Sequence, residues 1–174
     1  RRHHLEPMST SESTPDDLLT ASAPHAELKR KAGDWTVRCT YFMGGEAEPI
    51  QVDGVEHGQM LGDLWCNSRF EADMLGSPLT GNASLGFDPV KGKYIGTWKD
   101  SATPFLYTFE GDFDEDSGVL EMEGVNFDPV RRCPANYRSR IEFLSEDEHI
   151  LNLTIDVPDS EPIKVLRYHY TRKR

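Results

Sequence analysis

The sequence is short of cysteine and contains no long apolar run. Only three of its 174 residues are cysteines, Cys39, Cys66 and Cys133. They show no Cys-x-x-Cys or Cys/His spacing typical of zinc, and a secreted disulfide framework would need more cysteines, in even number. We therefore expect reduced thiols, as in a cytoplasmic protein. No apolar stretch approaches the ~18 residues of a membrane span, so no membrane partner is predicted.

Basic residues are also few, which bears on possible partners. The chain carries 19 Lys and Arg against 30 Asp and Glu, a formal net charge of −11. Such a charge repels phosphate backbones, so nucleic-acid binding is not predicted. The sequence lacks a Gly-x-Ser-x-Gly elbow, an HExxH motif and paired metal-ligand spacings. A non-catalytic protein is therefore expected rather than an enzyme, and neither a metal nor a cofactor is predicted.

The composition indicates one domain preceded by an arm. A chain of this length with 37% hydrophobic residues can bury a single core. The run RRHHLEP before Met8 has the character of a tag remnant, and residues rich in Ser, Thr, Pro and acid follow it. We predict a disordered arm over residues 1–23 and one domain over residues 24–174. The domain begins with a short helix, with Pro24 at its start and Gly33 as its stop.

From Asp34 onward the sequence consists of strand-length runs separated by turn residues. The ten predicted strands are residues 35–43, 50–60, 64–75, 79–87, 93–100, 105–113, 119–127, 135–144, 149–157 and 163–172. Turns this short, rich in Gly, Pro, Asp and Ser, can join only antiparallel neighbours. A meander of ten strands loses both edges when it closes. The sequence therefore predicts an all-β fold, an up-and-down antiparallel barrel.

One stretch, SLGFDPVKGKYIGTWKDS (residues 84–101), raises the question of a phosphate-binding loop because of its glycines. Nucleotide-binding loops run from a strand directly into a helix. Here a second strand follows residues 88–92, so no helix is available to direct its amides at a phosphate. We predict a β-hairpin at this position.

The same part of the chain resembles a known family. The run LGDLW…MLGSPLTGNASLGFDPVKGKYIGTWKDS is similar to the core of the bacterial family catalogued as domain of unknown function 1579, and EGDFDEDSGVLEMEG and IKVLRYHYTR also resemble its pattern. Asp63, Phe87 and Cys133-Pro134 depart from it. The resemblance covers about residues 27–172 and implies a lipocalin-like, calycin-like barrel without implying a function. The matching positions are Leu61, Gly62, Gly76, Pro78, Gly81, Gly86, Asp88, Gly96, Thr97, Trp98, Asp100 and Ser101.

Strand alternation predicts which side chains face the interior. Tyr94 and Trp98 share one face of their strand, and Tyr168 and Tyr170 share one face of the last strand. An aromatic lining suits a cavity for a small hydrophobic ligand, which is the leading functional interpretation. In the alternative the barrel is filled, and the protein is an interaction module that self-associates, as a homo-oligomer, through a strand edge or the rim.

Three further residues are candidates for binding polar groups. His149 lies on the apolar face at a strand start, hence near a barrel mouth, where it could ligate haem or act as an acid or base. A haem-binding or hydrolytic enzyme is therefore a third interpretation. The alternative for His149 is a rim histidine paired with Asp147 or Glu148. Arg69 and Arg138 lie within strands and either bind a ligand carboxylate inside or face outward toward acidic cross-strand partners such as Glu71, Asp73 and Glu142.

Overall fold

Ten antiparallel strands close into a barrel in the computed structural model, which describes residues 18–174. Each strand pairs with its sequence neighbours, and β1 pairs with β10 to complete the ring. The strands are β1 (Gly33–Tyr41), β2 (Ile50–Leu61), β3 (Trp65–Met74), β4 (Ser77–Asp88), β5 (Lys93–Asp100), β6 (Tyr107–Asp114), β7 (Val119–Asp128), β8 (Cys133–Ser145), β9 (Glu148–Asp156) and β10 (Ile163–Arg172). The predicted barrel is confirmed, with every boundary within two residues of its expected position. Closure leaves no free strand edge among the described residues, so self-association through an edge has no surface to use.

A short helical segment precedes β1. It begins as one α-helical turn, α1 (Ala23–Ala26), and continues as a 3-10 helix (Glu27–Lys31). The predicted short N-terminal helix is therefore confirmed, although most of it is 3-10 and not α. Gly33 follows with φ +106°, a conformation that glycine adopts readily, and the chain turns there into β1. Residues 1–17 of the predicted arm lie outside the described residues. The last residue of the predicted arm, Ala23, is the first residue of α1.

The helical segment, residues 23–31, lies across one end of the barrel, and we call it the helical plug. Its Leu28 is fully buried among core side chains of β3, β5, β7 and β8. The Tyr94 hydroxyl donates to the Pro24 carbonyl at 2.9 Å, and the Trp35 indole N–H donates to the Lys31 carbonyl at 3.2 Å. This is the closed end, where the hairpins β2–β3, β4–β5, β6–β7 and β8–β9 turn. The other five hairpins turn at the opposite, open end.

The glycine-rich stretch forms the predicted hairpin. The Asp88 carboxylate accepts the backbone N–H groups of Val90 at 2.9 Å and Lys91 at 3.1 Å. The Gly92 amide donates to the Asp88 carbonyl at 2.8 Å, and Gly92 has φ +64°. These hydrogen bonds pair the backbone N–H groups of the loop with Asp88 of the same loop, and strand β5 follows directly. Of the helices in residues 18–174, none is long and apolar enough to cross a membrane.

Candidate ligand site in the barrel interior

Inward-facing side chains differ in burial along the barrel axis. Near the closed end, Trp35, Cys66 and His149 have no more than 1% of their surface exposed. Toward the open end, hydrophobic side chains on the same inward faces are only partly buried, and they are Tyr41, Ile50, Ala72, Met74, Leu79, Trp98 and Leu166. Leu151 and Phe109, near mid-depth, are also half-buried. The open half of the interior therefore retains accessible apolar surface.

Trp98 is fixed in this open half by two contacts. Its indole N–H donates to the Asp100 carboxylate two residues further along β5, at 2.9 Å. Its ring packs against Gly81 of β4, where a Cβ would overlap the indole. The ring centroid is 6.0 Å from that of Phe70. Glycine at position 81 thus makes room for the indole, a known way of covering a glycine in a curved sheet.

A pair of tyrosines contributes hydroxyl groups to the same region. The Tyr41 and Tyr168 hydroxyls are hydrogen-bonded at 2.5 Å, and Tyr168 stacks on Phe70 with centroids 5.2 Å apart. Burial raises the pKa of both phenols well above the ordinary value, so both stay protonated. This part of the interior therefore has neutral hydroxyls in an aromatic wall, and the Asp100 carboxylate that accepts from Trp98 is the charged group beside them.

A buried polar cluster, which we call the polar floor, lies where the helical plug meets the barrel interior. It consists of Lys31, the last residue of the plug, Glu56 of β2 and His149 of β9. The Lys31 ammonium is 3.3 Å from the Glu56 carboxylate and 3.3 Å from His149 Nε2. Side-chain exposure is 10% for Lys31 and 3% for Glu56. Since a buried charge without a partner is costly, the ion pair is what allows each of these two charges to stay under the plug.

The predicted position of His149 near an open mouth is wrong. The residue does begin a strand with its side chain inward, but the helical plug covers that end and leaves the imidazole 0% exposed. The rim alternative is also wrong, because Glu148 pairs with His169 at 2.9 Å and Asp147 pairs with arginines of the C-terminal segment. Burial, followed by the nearby Lys31 ammonium, lowers the pKa of His149 far below its ordinary value, so the ring is neutral.

Tyr94 and Tyr170 face inward as predicted, but both lie toward the closed end. Tyr170 is 2% exposed, stacks on His149 with centroids 4.2 Å apart, and lies 4.2 Å from the Lys31 ammonium. Tyr94 packs on Phe87 at 5.0 Å and bonds to the plug. Burial raises the pKa of Tyr94 to about 12. Of the predicted lining residues, Trp98 and Tyr168 border the open half, whereas Tyr94, Tyr170 and His149 border the floor.

Arg69 and Arg138 lie on the outer surface, so the interior clamp is not what the structure shows. Arg69 bonds Glu71 at 3.1 Å, a residue predicted as a partner, although the two lie on the same strand and not on neighbouring strands as expected. Arg138 contacts Glu121 at 2.8 Å, and Glu123 and Asp156 at 3.1 Å each. The reason is strand phase, because the residues alternating with Arg138 on β8, such as Ser139 and Ile141, fill the inward positions.

Arg138 also borders a groove on the outside of the barrel. The groove has a volume of about 600 Å³ and runs over β5 to β8. Its charged side chains pair with one another, as Lys93 does with Asp112 at 2.8 Å and Arg140 with Glu121 at 3.5 Å. The charged side chains of the groove are therefore already paired with one another.

Metal and haem chemistry find little support in the side chains of residues 18–174. Within that range no group of three or more His, Cys, Asp or Glu could hold a metal ion. Iron approaching His149 Nε2 would have to displace the Lys31 ammonium 3.3 Å away. Cys39 and Cys66 are buried free thiols, and burial raises the pKa of Cys39 to about 12, so that thiol is not a ready nucleophile.

Lys31 and Glu56 are the residues of the site that sequence reasoning missed. Lys31 lies within the predicted short helix, and nothing in the helix pattern indicates that its side chain is buried in an ion pair. A signal for Glu56 did exist, because it occupies an inward position in the alternation of β2, between Gly54 and Gly58. A carboxylate at such a position requires a buried partner, which alternation alone does not identify.

The strands and the inward side chains define a closed, ten-stranded antiparallel barrel. The chain belongs to the family described as protein of unknown function (DUF1579), whose model matches residues 20–172. No curated protein matches the sequence.

Two solved structures share the fold. The S-type phycobiliprotein lyase CPES from Guillardia theta is 13% identical, with 84% of this chain and 90% of that chain covered and a TM-score of 0.59. Rv2717c from M. tuberculosis is 16% identical, with 87% and 99% covered and a TM-score of 0.59. At these identities the likeness concerns the architecture of the barrel.

Proposed function

We propose that this protein binds a small hydrophobic molecule in the open half of its barrel. The observation that carries the proposal is the difference in burial along the inward faces: Trp98, Leu151 and Leu166 keep accessible apolar surface, whereas Trp35 and Cys66 keep none. A filled interior would be packed at crystal-like density throughout its length. Apolar surface that remains accessible inside a concave wall is the usual basis of a ligand pocket.

The chemistry of the wall defines the kind of ligand. Trp98, Phe70 and Tyr168 supply aromatic faces, which favour flat or chain-like apolar molecules. The hydroxyls of Tyr41 and Tyr168 are neutral, and the Asp100 carboxylate already accepts from the Trp98 indole, so the wall does not require a charged ligand. Entry is through the open end, because the helical plug occupies the other.

The test is a titration with N-phenyl-1-naphthylamine, a dye that fluoresces in apolar surroundings. We expect about one dye per chain, with quenching of tryptophan emission. Trp98→Phe should remove more of this quenching than Trp65→Phe does, because Trp65 lies on the outer face against Gly86. Both substitutions replace tryptophan with phenylalanine, so the two variants differ only in whether the residue faces the interior or the outside of the barrel.

Folded protein that takes up no dye would contradict the proposal. In that case a filled barrel that self-associates through its rim would be the better interpretation. A particular observation favours that second candidate: the open-end residues Leu75, Leu106 and Val130 are exposed by 76%, 57% and 84%. Sedimentation of the wild type over a range of concentrations would then decide whether these side chains join copies of the chain.

A further inference from the structure

One buried polar atom of the interior has no hydrogen-bond partner. His149 is completely buried, and among the described residues nothing bonds its Nδ1. The ring lies between Trp35, 4.4 Å away, and Tyr170, 4.2 Å away, with Phe143 at 5.3 Å. Aromatic rings on three sides cannot replace a hydrogen bond, and an unmade bond at a buried polar atom costs stability.

The contact between Lys31 and Nε2 determines whether Nδ1 is a hydrogen-bond donor or an acceptor. An ammonium group has only hydrogen atoms to offer, so Lys31 must donate to Nε2, and Nε2 must accept. A neutral imidazole carries one proton, which then lies on Nδ1. The unpartnered atom is therefore an N–H donor, and the group that would complete it is an oxygen or nitrogen acceptor.

Charge decides between a neutral and an anionic acceptor. The polar floor contains one positive group, Lys31, and one negative group, Glu56, which neutralise each other, while His149 is neutral. Arg172, whose charge also acts on His149, is paired with Asp147 at 3.3 Å. A carboxylate brought to His149 would add a second negative charge beside Glu56, in a place shielded from water. A carbonyl oxygen accepts the same hydrogen bond without adding charge. The site therefore favours an uncharged acceptor.

The position of His149 adds a requirement of length. Strand β9 runs from Glu148 at the closed end to Asp156 at the open end. At about 3.3 Å per residue and a strand tilt of about 40°, β9 crosses roughly 20 Å of barrel depth. A molecule that enters at the open end and reaches His149 is therefore elongated, with its acceptor at the leading end. Half-buried Leu151, the next inward residue of β9, lies between His149 and the open end.

We propose that the polar floor is a recognition site for an uncharged carbonyl group at the end of an elongated apolar ligand, with His149 Nδ1–H as the donor. This inference rests on the proposed function and adds the class of ligand to it. The contacts that carry it are the Lys31–Nε2 bond and the unpartnered Nδ1.

The test compares three probes of equal chain length, namely dodecan-2-one, dodecane and dodecanoate. Each displaces N-phenyl-1-naphthylamine from the wild type and from His149→Phe, a variant that keeps an aromatic ring but has no donor. Differences in water solubility cancel when the ratio of ketone to alkane affinity is compared between the two proteins. We expect this ratio to be roughly three- to tenfold higher in the wild type, the usual net worth of one hydrogen bond. Dodecanoate should gain nothing from His149.

A matched control separates the two groups of donors in the interior. Tyr41→Phe removes a hydroxyl from the open half and should leave the ketone-to-alkane ratio unchanged. A ratio that falls in Tyr41→Phe and not in His149→Phe would put the carbonyl at the tyrosine pair and overturn the inference.

A second measurement needs no variant and decides the matter if His149→Phe does not fold. In wild-type protein with ¹⁵N-labelled histidine, dodecan-2-one should shift the Nδ1–H resonance of His149, and dodecane should shift it much less. Equal shifts, or none with the dye displaced, would overturn the inference while leaving the proposed function intact. Failure of all probes and of the dye to bind would instead overturn the proposed function itself.

Discussion

The two ends of the barrel are built on different kinds of contact. The closed end is filled by a segment of the chain itself, with Leu28 at 0% exposure and the Lys31–Glu56 ion pair beneath it. At the open end no described segment enters the interior in the way Leu28 does, and inward side chains such as Trp98 and Leu166 remain half-buried. The comparison indicates that the closed end stabilises the fold, whereas the open end keeps apolar surface available for a ligand. Substitutions at matched positions can test this division.

The largest effect is expected from breaking the buried ion pair. Glu56→Ala leaves the Lys31 ammonium under the plug without its carboxylate, and removing one partner of a buried pair costs about 3 to 5 kcal/mol. Asp53→Ala is the control on the same strand, since Asp53 is 82% exposed and pairs with Arg38, which is 50% exposed. That loss should stay below about 1 kcal/mol. Urea unfolding measures both, and equal losses would mean that Lys31 reaches water.

A somewhat smaller effect is expected from crowding the backbone under the plug. A Cβ at Gly58 would overlap the Lys31 carbonyl oxygen, so Gly58→Ala must displace the plug, at a cost of about 1 to 3 kcal/mol. At Gly96 the nearest atom to a Cβ would be the Met122 methyl at 3.4 Å, an ordinary contact distance, so Gly96→Ala should change stability by less than about 0.5 kcal/mol. Thermal unfolding followed by tryptophan fluorescence compares the two variants. A neutral Gly58→Ala would show that the plug is not seated on β2.

Local sequence rules were sufficient for the strands and for the direction of most side chains. Alternation correctly assigned Tyr168 and Tyr170 to the interior, and turn chemistry identified the hairpin after Asp88, because both depend on residues close in sequence. The environment of His149 could not be predicted in this way. It depends on Lys31, which is 118 positions distant in the chain and reaches it only because the plug folds back across the barrel. The outward direction of Arg138 was left open for the same reason, since its acidic partners come from β7 and β9.

Narrowing the open half should weaken ligand binding without a comparable loss of stability. Ala72 faces inward and is half-buried near the open end, so Ala72→Phe places a ring in the path of a ligand. We expect the affinity for N-phenyl-1-naphthylamine to fall roughly tenfold, the equivalent of about 1.4 kcal/mol. Ala47→Phe makes the same change in the exposed loop between β1 and β2 and should leave affinity unchanged. Equal effects of the two substitutions would mean that the dye binds outside the barrel.

The smallest effect compares two hairpin loops of nearly the same sequence at opposite ends. Residues 88–92 at the closed end and residues 128–132 at the open end both begin Asp-Pro-Val, and in each the first aspartate accepts two backbone N–H groups. The last position is Gly92, at φ +64°, in one loop and Arg132, at φ +57°, in the other.

A left-handed conformation costs a residue with a Cβ about 1 to 2 kcal/mol, and glycine avoids that cost while losing about 0.5 to 1 kcal/mol more backbone entropy on folding. Arg132→Gly should therefore stabilise the protein by about 0.5 to 1 kcal/mol. Gly92→Arg should destabilise it by a similar amount, because no atom lies within 4 Å of a Cβ built there and only the backbone conformation is at issue. Urea unfolding of both variants gives the two values. A loss of stability in Arg132→Gly would show that Arg132 makes a contact at the open end that stabilises the protein by more than its left-handed conformation costs. The open end would then contribute more to stability than its half-buried side chains indicate.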